Sequence, residues 1–130
     1  MWGKKNPSLW LAHADGTHRR RLSANADSPV WSPDGRHLAY RNLSDGASLW
    51  VMGADGSHKH RVGNDAYNPF WSPDSQMITY DVGDNGTTDW AIWTARANGS
   101  GNRRIAAGDS PVWSPDGAHI ASRRRPAACA

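Results

Sequence analysis

Apolar residues come in short runs along this chain, and clusters of Gly, Pro, Asp, Asn and Ser separate them. Ser8-Leu9-Trp10-Leu11-Ala12, His37-Leu38-Ala39-Tyr40, Ser48-Leu49-Trp50-Val51-Met52, Met77-Ile78-Thr79-Tyr80 and Ala91-Ile92-Trp93-Thr94-Ala95 are all of strand length. They are rich in the branched and aromatic side chains that suit a pleated surface. No segment sustains apolar positions at helical spacing. The pattern predicts an all-β chain.

The runs recur in register. Trp31-Ser32-Pro33-Asp34-Gly35 returns as Trp71-Ser72-Pro73-Asp74-Ser75 and as Trp113-Ser114-Pro115-Asp116-Gly117, at spacings of 40 and 42 residues. In such a turn Pro presets φ at the first central position. Asp hydrogen-bonds the backbone just ahead, and Gly takes the positive φ that closes the loop. Ser75 replaces that glycine in the middle copy, at an expected cost of roughly 1 kcal/mol if the position is left-handed. Apolar runs flank each turn, so each copy reads as a hairpin. A second hairpin follows, around Asp15-Gly16, Asp55-Gly56 and Asn98-Gly99, dipeptides that favour type I′ turns. Polar return strands follow these turns, ending at Leu22, Val62 and Ile105.

Each repeat thus holds four short antiparallel strands. Units of that kind at a period near 40 residues are β-propeller blades. Residues 1–7 read as a leader. Residues 8–122 hold three blade equivalents: a half-blade of third and fourth strands, two full blades at about 27–62 and 67–105, and a half-blade of first and second strands. Residues 123–130 form a basic tail that is expected to fray.

Composition changes this picture little. Only 38% of the 130 residues are apolar, a small core for one domain, but eight Trp enlarge what each junction can bury. The formal charge of +3 comes largely from Arg19-Arg20-Arg21 and Arg123-Arg124-Arg125. Both read as solvated surface. Nearly every Trp occupies a repeat position that a core explains, so no basic-aromatic nucleic-acid face is expected. The single cysteine, Cys129, cannot form an internal disulfide. Met1 to Pro7 lacks the apolar run of a secretory signal, and no stretch approaches a membrane span.

The repeat as a whole, an apolar-Trp-Ser-Pro-Asp-Gly hairpin followed by an Ile-Ala-Tyr-like strand, Leu-Trp-Val-Met, Asp-Gly and Arg-Leu, resembles the TolB-type β-propeller repeat. Val30 to Tyr40 and Leu49 to Val62 carry the likeness most closely, and it extends over residues 8–122. The resemblance implies a six-bladed propeller whose first strands are innermost and line a central channel. It also implies protein or peptide binding, as in most of the family, or gating of a separate catalytic domain. A periplasmic setting would follow from the same relatives. A complete propeller of this family is about twice as long.

Three blade equivalents do not close a ring, because propellers need roughly four to eight blades. Two chains joined head to tail would give six. Strands at 110–122 of one copy would pair with strands at 8–22 of the other, completing a composite blade at each junction, with two-fold symmetry. The expected assembly is therefore a homodimer.

Candidate chemistry is sparse. Asp27, Tyr67 and Asp109 each stand two residues before the proline of a first strand. On the family's geometry they sit near the channel mouth. A dimer would carry four Asp and two Tyr there, a ring suited to a cation, a basic peptide terminus or water; loop capping is the plainer role. Trp31, Trp71, Trp113, Trp10, Trp50 and Trp93 recur as blade-to-blade core. Trp2 and Trp90 lie outside the repeat frame and are the better candidates for exposed aromatics. Six scattered His have no dedicated metal spacing, and no metal or cofactor is expected. There is no Gly-x-Ser-x-Gly elbow, P-loop or Cys-x-x-Cys. The expected function is that of a non-enzymatic binding or scaffold propeller. The alternatives are a propeller for a glycan or small polar ligand, and one kept for assembly alone.

Overall fold

The computed structural model describes residues 6–83 and 90–124. Twelve strands among them form four antiparallel sheets. Strands β1 (Ser8–Leu11) and β2 (Arg20–Ala24) make a two-stranded sheet. Then come two four-stranded meanders. The first runs through β3 (Ala26–Trp31), β4 (His37–Asn42), β5 (Ser48–Gly53) and β6 (His60–Gly63). The second runs through β7 (Ala66–Trp71), β8 (Met77–Gly83), β9 (Trp90–Arg96) and β10 (Arg103–Ala107). A final pair, β11 (Asp109–Trp113) and β12 (Ile120–Arg123), closes the series. The sheets stack face to face in chain order, with β3 against β7 and β7 against β11. Trp2, most of the leader, and the tail from Arg125 to Ala130 with Cys129 lie outside the described residues.

Alternation along the strands builds the core. On β4, Leu38 and Tyr40 point back to Leu9 and Leu22 of the first pair, with Met52 of β5 beside them. Ala39, between them, points forward and joins Leu49, Val51 and Val62 against Ile78, Tyr80 and Trp71 of the next blade. A period of two thus feeds both junctions of one blade. Small residues such as Ala39, Ala66 and Ala95 let neighbouring sheets approach. At the first junction Tyr40 and Met52 are fully buried, and Ile92 is at the last.

The Ser-Pro-Asp turns form as expected. In the first, Gly35 N–H donates to Ser32 O at 2.9 Å. Asp34 Oδ1 accepts from Arg36 N at 3.0 Å, and Gly35 has φ +73°. Ser75 does take the left-handed conformation, φ +62°. Its hydroxyl offsets the strain by accepting from Asp34 N of the preceding blade at 3.1 Å.

The Asp-Gly turns differ from the type I′ expectation. Gly16, Gly56 and Gly99 have positive φ, but Asp15, Asp55 and Asn98 do not. Gly16 N–H donates to His13 O at 2.8 Å, and His13 N–H donates to Thr17 O at 2.9 Å. This is a three-residue loop, a type I turn closed by a left-handed glycine. The carboxylate holds it: Asp15 Oδ1 accepts from Thr17 N at 3.0 Å, which anchors Asp15 in the ordinary right-handed region. Asp45-Gly46 lies in a 3-10 turn, Leu43–Asp45, capped by Asn42, whose side chain accepts from Ser44 N at 2.9 Å.

Candidate functional site

The first strands β3, β7 and β11 carry one device three times. Ser28, Asn68 and Ser110 all adopt left-handed φ, +57°, +51° and +56°. Each lies where the register with the second strand slips, between Asp27 and Val30, Tyr67 and Phe70, and Asp109 and Val112. These are bulges, which twist a strand and re-aim its side chains. Proline follows the bulge residue each time and withholds one ladder hydrogen bond, a loss tolerated at an edge. The three triads Ser28-Pro29-Val30, Asn68-Pro69-Phe70 and Ser110-Pro111-Val112 come side by side and line a shared hollow of about 410 Å³. Phe70 and Val112 are exposed there.

Just behind each bulge stands a cross-strand pair. Register places Asp27 opposite Arg41, Tyr67 opposite Asp81 and Asp109 opposite Arg123. Arg41 grips Asp27 with both ends of its fork, Nε to Oδ1 at 2.7 Å and Nη2 to Oδ2 at 2.8 Å. Arg123 holds Asp109 likewise, at 2.8 and 3.2 Å. The hydrogen bonds from Arg41 hold the Asp27 carboxyl below the usual carboxylate range. Asp27 and Asp109 therefore present neutralised, oriented ion pairs. Arg41 also lies over the Tyr67 ring of the next blade, 4.9 Å from its centroid, a cation–π contact. Two of the three sequence candidates, Asp27 and Tyr67, are joined through it.

Asp81 breaks the pattern. Its side chain is fully buried. Oδ2 accepts from Asn68 Nδ2 at 2.8 Å and from Ser110 N of the following blade at 2.9 Å. Oδ1 has no hydrogen-bond partner among the described residues. Burial pushes this carboxyl up, and nearby Asp109 adds to the push; the bonds from Asn68 and Ser110 and the charge of Arg123 oppose it. Polar contacts thus cross from blade to blade behind the hollow at two places, Arg41 over the Tyr67 ring and Ser110 N–H to Asp81 Oδ2. Sequence reading passed over Arg41 and Asp81 and put Arg123 in a fraying basic tail, whereas the structure makes it the last residue of β12, held by its pairing with Asp109. The available signal was a fixed 14-residue offset pairing Asp with Arg in two copies and Tyr with Asp in the third.

The remaining candidates divide by position. Trp71 is buried, and its indole N–H donates to Val30 O of the preceding blade at 3.0 Å. Trp50 and Trp93 are partly buried against the core. Trp10 and Trp31 are exposed: uniform burial of the repeated Trp does not hold at the end of the array. Trp90, expected to be an exposed aromatic, is half-buried and meets Tyr67 edge-on at 5.4 Å. His60 bridges blades through Nε2 and Ala97 O at 2.8 Å, and His13 stacks on His18. Among the described residues no three His, Cys, Asp or Glu side chains converge.

Four-stranded meanders, stacked face to face with their first strands along a common wall, are the blades of a β-propeller. No protein-family model matches the chain. Over 49 residues, 35% of its length, it is 47% identical to the Tol-Pal system protein TolB of Hydrogenovibrio crunogenus, a match spanning 11% of that protein. Its fold is similar to that of TolB from Acinetobacter baumannii, with TM-score 0.70 and 19% identity over 87% of this chain and 31% of that one. It is also similar to a putative TolB from Agrobacterium tumefaciens, with TM-score 0.71 and 22% identity over 92% of this chain and 50% of the other. An oligogalacturonate lyase in complex with manganese has the same likeness in shape, TM-score 0.71 and 19% identity over 92% of this chain and 36% of that one. The chain is built of TolB-type β-propeller repeats, and it spans half or less of the length of each of these proteins.

Proposed function

We propose that this chain is a non-enzymatic binding propeller that works as a head-to-tail homodimer and takes a protein or peptide segment over its central channel. One observation carries the reading: three bulged first strands present proline and apolar side chains side by side along one shared hollow. Extended peptides favour such surfaces, because proline and exposed apolar groups offer contact area without a large entropy loss. The ion pairs behind the wall act as struts that hold the first strands against the second. On this reading the compartment follows the TolB relatives, and no metal or cofactor takes part.

The test is calorimetric titration with proline-rich and mixed peptides, beside light scattering for mass. A mass twice the 14.2 kDa of the chain, with peptide binding abolished by Phe70→Asp at unchanged mass, supports the proposal. A doubled mass with no ligand in any screen would leave assembly as the sole role.

A second reading, a glycan or small polar ligand, draws on the Arg41–Tyr67 contact and on the likeness in fold to an oligogalacturonate lyase. Binding of one sugar, lost in Asp27→Ala with Asp109→Ala, would select it.

A further inference from the structure

The junction between the two full blades shows what a complete blade contact looks like in this chain. Trp71 is 4% exposed there, with its indole N–H on Val30 O of the blade before. At the equivalent place Trp31 is 46% exposed, because β1 and β2 supply no first strand for it to lie on. The carbonyl equivalent to that of Val30 at the far end of the array belongs to Val112, whose side chain is exposed.

Charges repeat the contrast. Arg41, covered by the next blade, has a side chain 17% exposed, and its partner Asp27 is 31% exposed. In the matching pair at the far end the values reverse: Arg123 is 62% exposed and Asp109 only 5%. The residue that lacks cover is thus an arginine at one end and an aspartate at the other. Position by position, Arg123 would meet Asp27 as Arg41 meets Tyr67.

The strand edges match as well. β4 and β5 pair without a slip, Tyr40 opposite Trp50 and Arg41 opposite Leu49. Among the described residues β12 pairs with β11 alone, and β1 with β2 alone. Carried over by repeat position, the β4–β5 register sets Ser122 opposite Trp10 and Arg123 opposite Leu9.

We propose that a second copy of this chain occupies each open end through this one junction: β12 of one copy adds to β1 of the other in that register, Trp31 donates to the Val112 carbonyl, and Arg123 faces Asp27. The proposal rests on the head-to-tail reading above and names the contacts that would make it. Complementary charge, an unpaired strand on each side and the uncovered Trp31 ring together favour a copy of the same chain. Unpaired edges of this kind recruit a matching strand. Two such junctions related by a two-fold axis close a ring; without closure the same contact would propagate as a filament.

The experiment uses the full chain in a Cys129→Ser background. Chains carrying His13→Cys are mixed with chains carrying His119→Cys, which the β4–β5 register places opposite each other, as His37 stands opposite Gly53. His13→Cys mixed with Ala121→Cys, two residues out of step, is the control. Oxidation should give a covalent dimer from the matched mixture only. Trp31→Ala should weaken association by at least about tenfold, since a central Trp is a typical interface anchor. Circular dichroism verifies that the variant keeps its sheet content. Association should also weaken with salt, and less steeply in Arg123→Gln. A dimer that cross-links equally in both mixtures, or whose affinity Trp31→Ala leaves alone, overturns the junction and leaves the assembly standing. A monomer at every concentration overturns both.

Discussion

Trp71 and Trp31 hold the same place in consecutive repeats, yet the fold buries one and bares the other, so truncating them should cost different amounts. A buried Trp removes about 200 Å² from water, worth about 5 kcal/mol at ~25 cal/mol per Å². Measured Trp→Ala costs in cores run about 3–5 kcal/mol. Trp71→Ala should therefore lose about 4 kcal/mol, and part of that is the bond to Val30 O. Trp71→Phe keeps most of the ring but strands that carbonyl, for a loss of about 1–2 kcal/mol. Trp31 is nearly half exposed, so Trp31→Ala should cost about 2 kcal/mol in dilute solution. Urea unfolding followed by circular dichroism reads all three, and the slope m should stay constant across them. If the head-to-tail dimer forms, the cost of Trp31→Ala should grow with protein concentration. Equal costs for Trp31→Ala and Trp71→Ala at the lowest concentration would refute the argument. So would a Trp71→Phe loss as large as that of Trp71→Ala.

Three other perturbations test separate parts of the account. At Ser75, Ala keeps the left-handed strain and loses the bond to Asp34 N, so it should cost about 1 kcal/mol in urea. Gly loses the bond but relieves the strain and should stay within about 0.5 kcal/mol of the parent; stabilisation by 1 kcal/mol or more would show that the hydroxyl contributes nothing. The raised carboxyl of Asp81 favours the fold in acid, below the ordinary value of 3.8, and that benefit is lost as pH rises through its higher folded value. Asp81→Asn should therefore melt higher than the parent at pH 7, with the gap closing toward pH 4; a constant gap would contradict the burial argument. The depressed carboxyl of Asp27 works in the opposite sense, stabilising above 3.8 and losing effect as pH falls through its lower folded value. Arg41→Ala should cost about 1–2 kcal/mol at neutral pH, between the surface and buried limits for an ion pair. The difference from the parent should shrink in acid unfolding curves.

Much of the fold was legible because its determinants are local. Pro33, Asp34 and Gly35 dictate a turn through their own backbone preferences, and the three copies announce the blade period. The Asp-Gly loops were placed correctly but typed wrongly, because the bond from Thr17 N–H to the Asp15 carboxylate selects a three-residue loop that the dipeptide alone does not reveal. The candidate site was legible only in part. Asp27, Tyr67 and Asp109 were singled out from their place before each proline, and the structure puts all three beside the bulges of the first strands. What they do depends on Arg41, Asp81 and Arg123, 14 residues further on, and pairing across a hairpin slipped by a bulge is not written in either strand alone.

The sequence by itself determined the strand count, the order of the hairpins and which face of each strand is apolar, because turn chemistry and a period of two act over a few residues. Only the tertiary structure decided which tryptophans are core, which carboxylates are neutralised, and that Asp81 lies buried between blades. Those outcomes depend on what the neighbouring sheet supplies, and residues 40 positions apart with the same local sequence meet different neighbours.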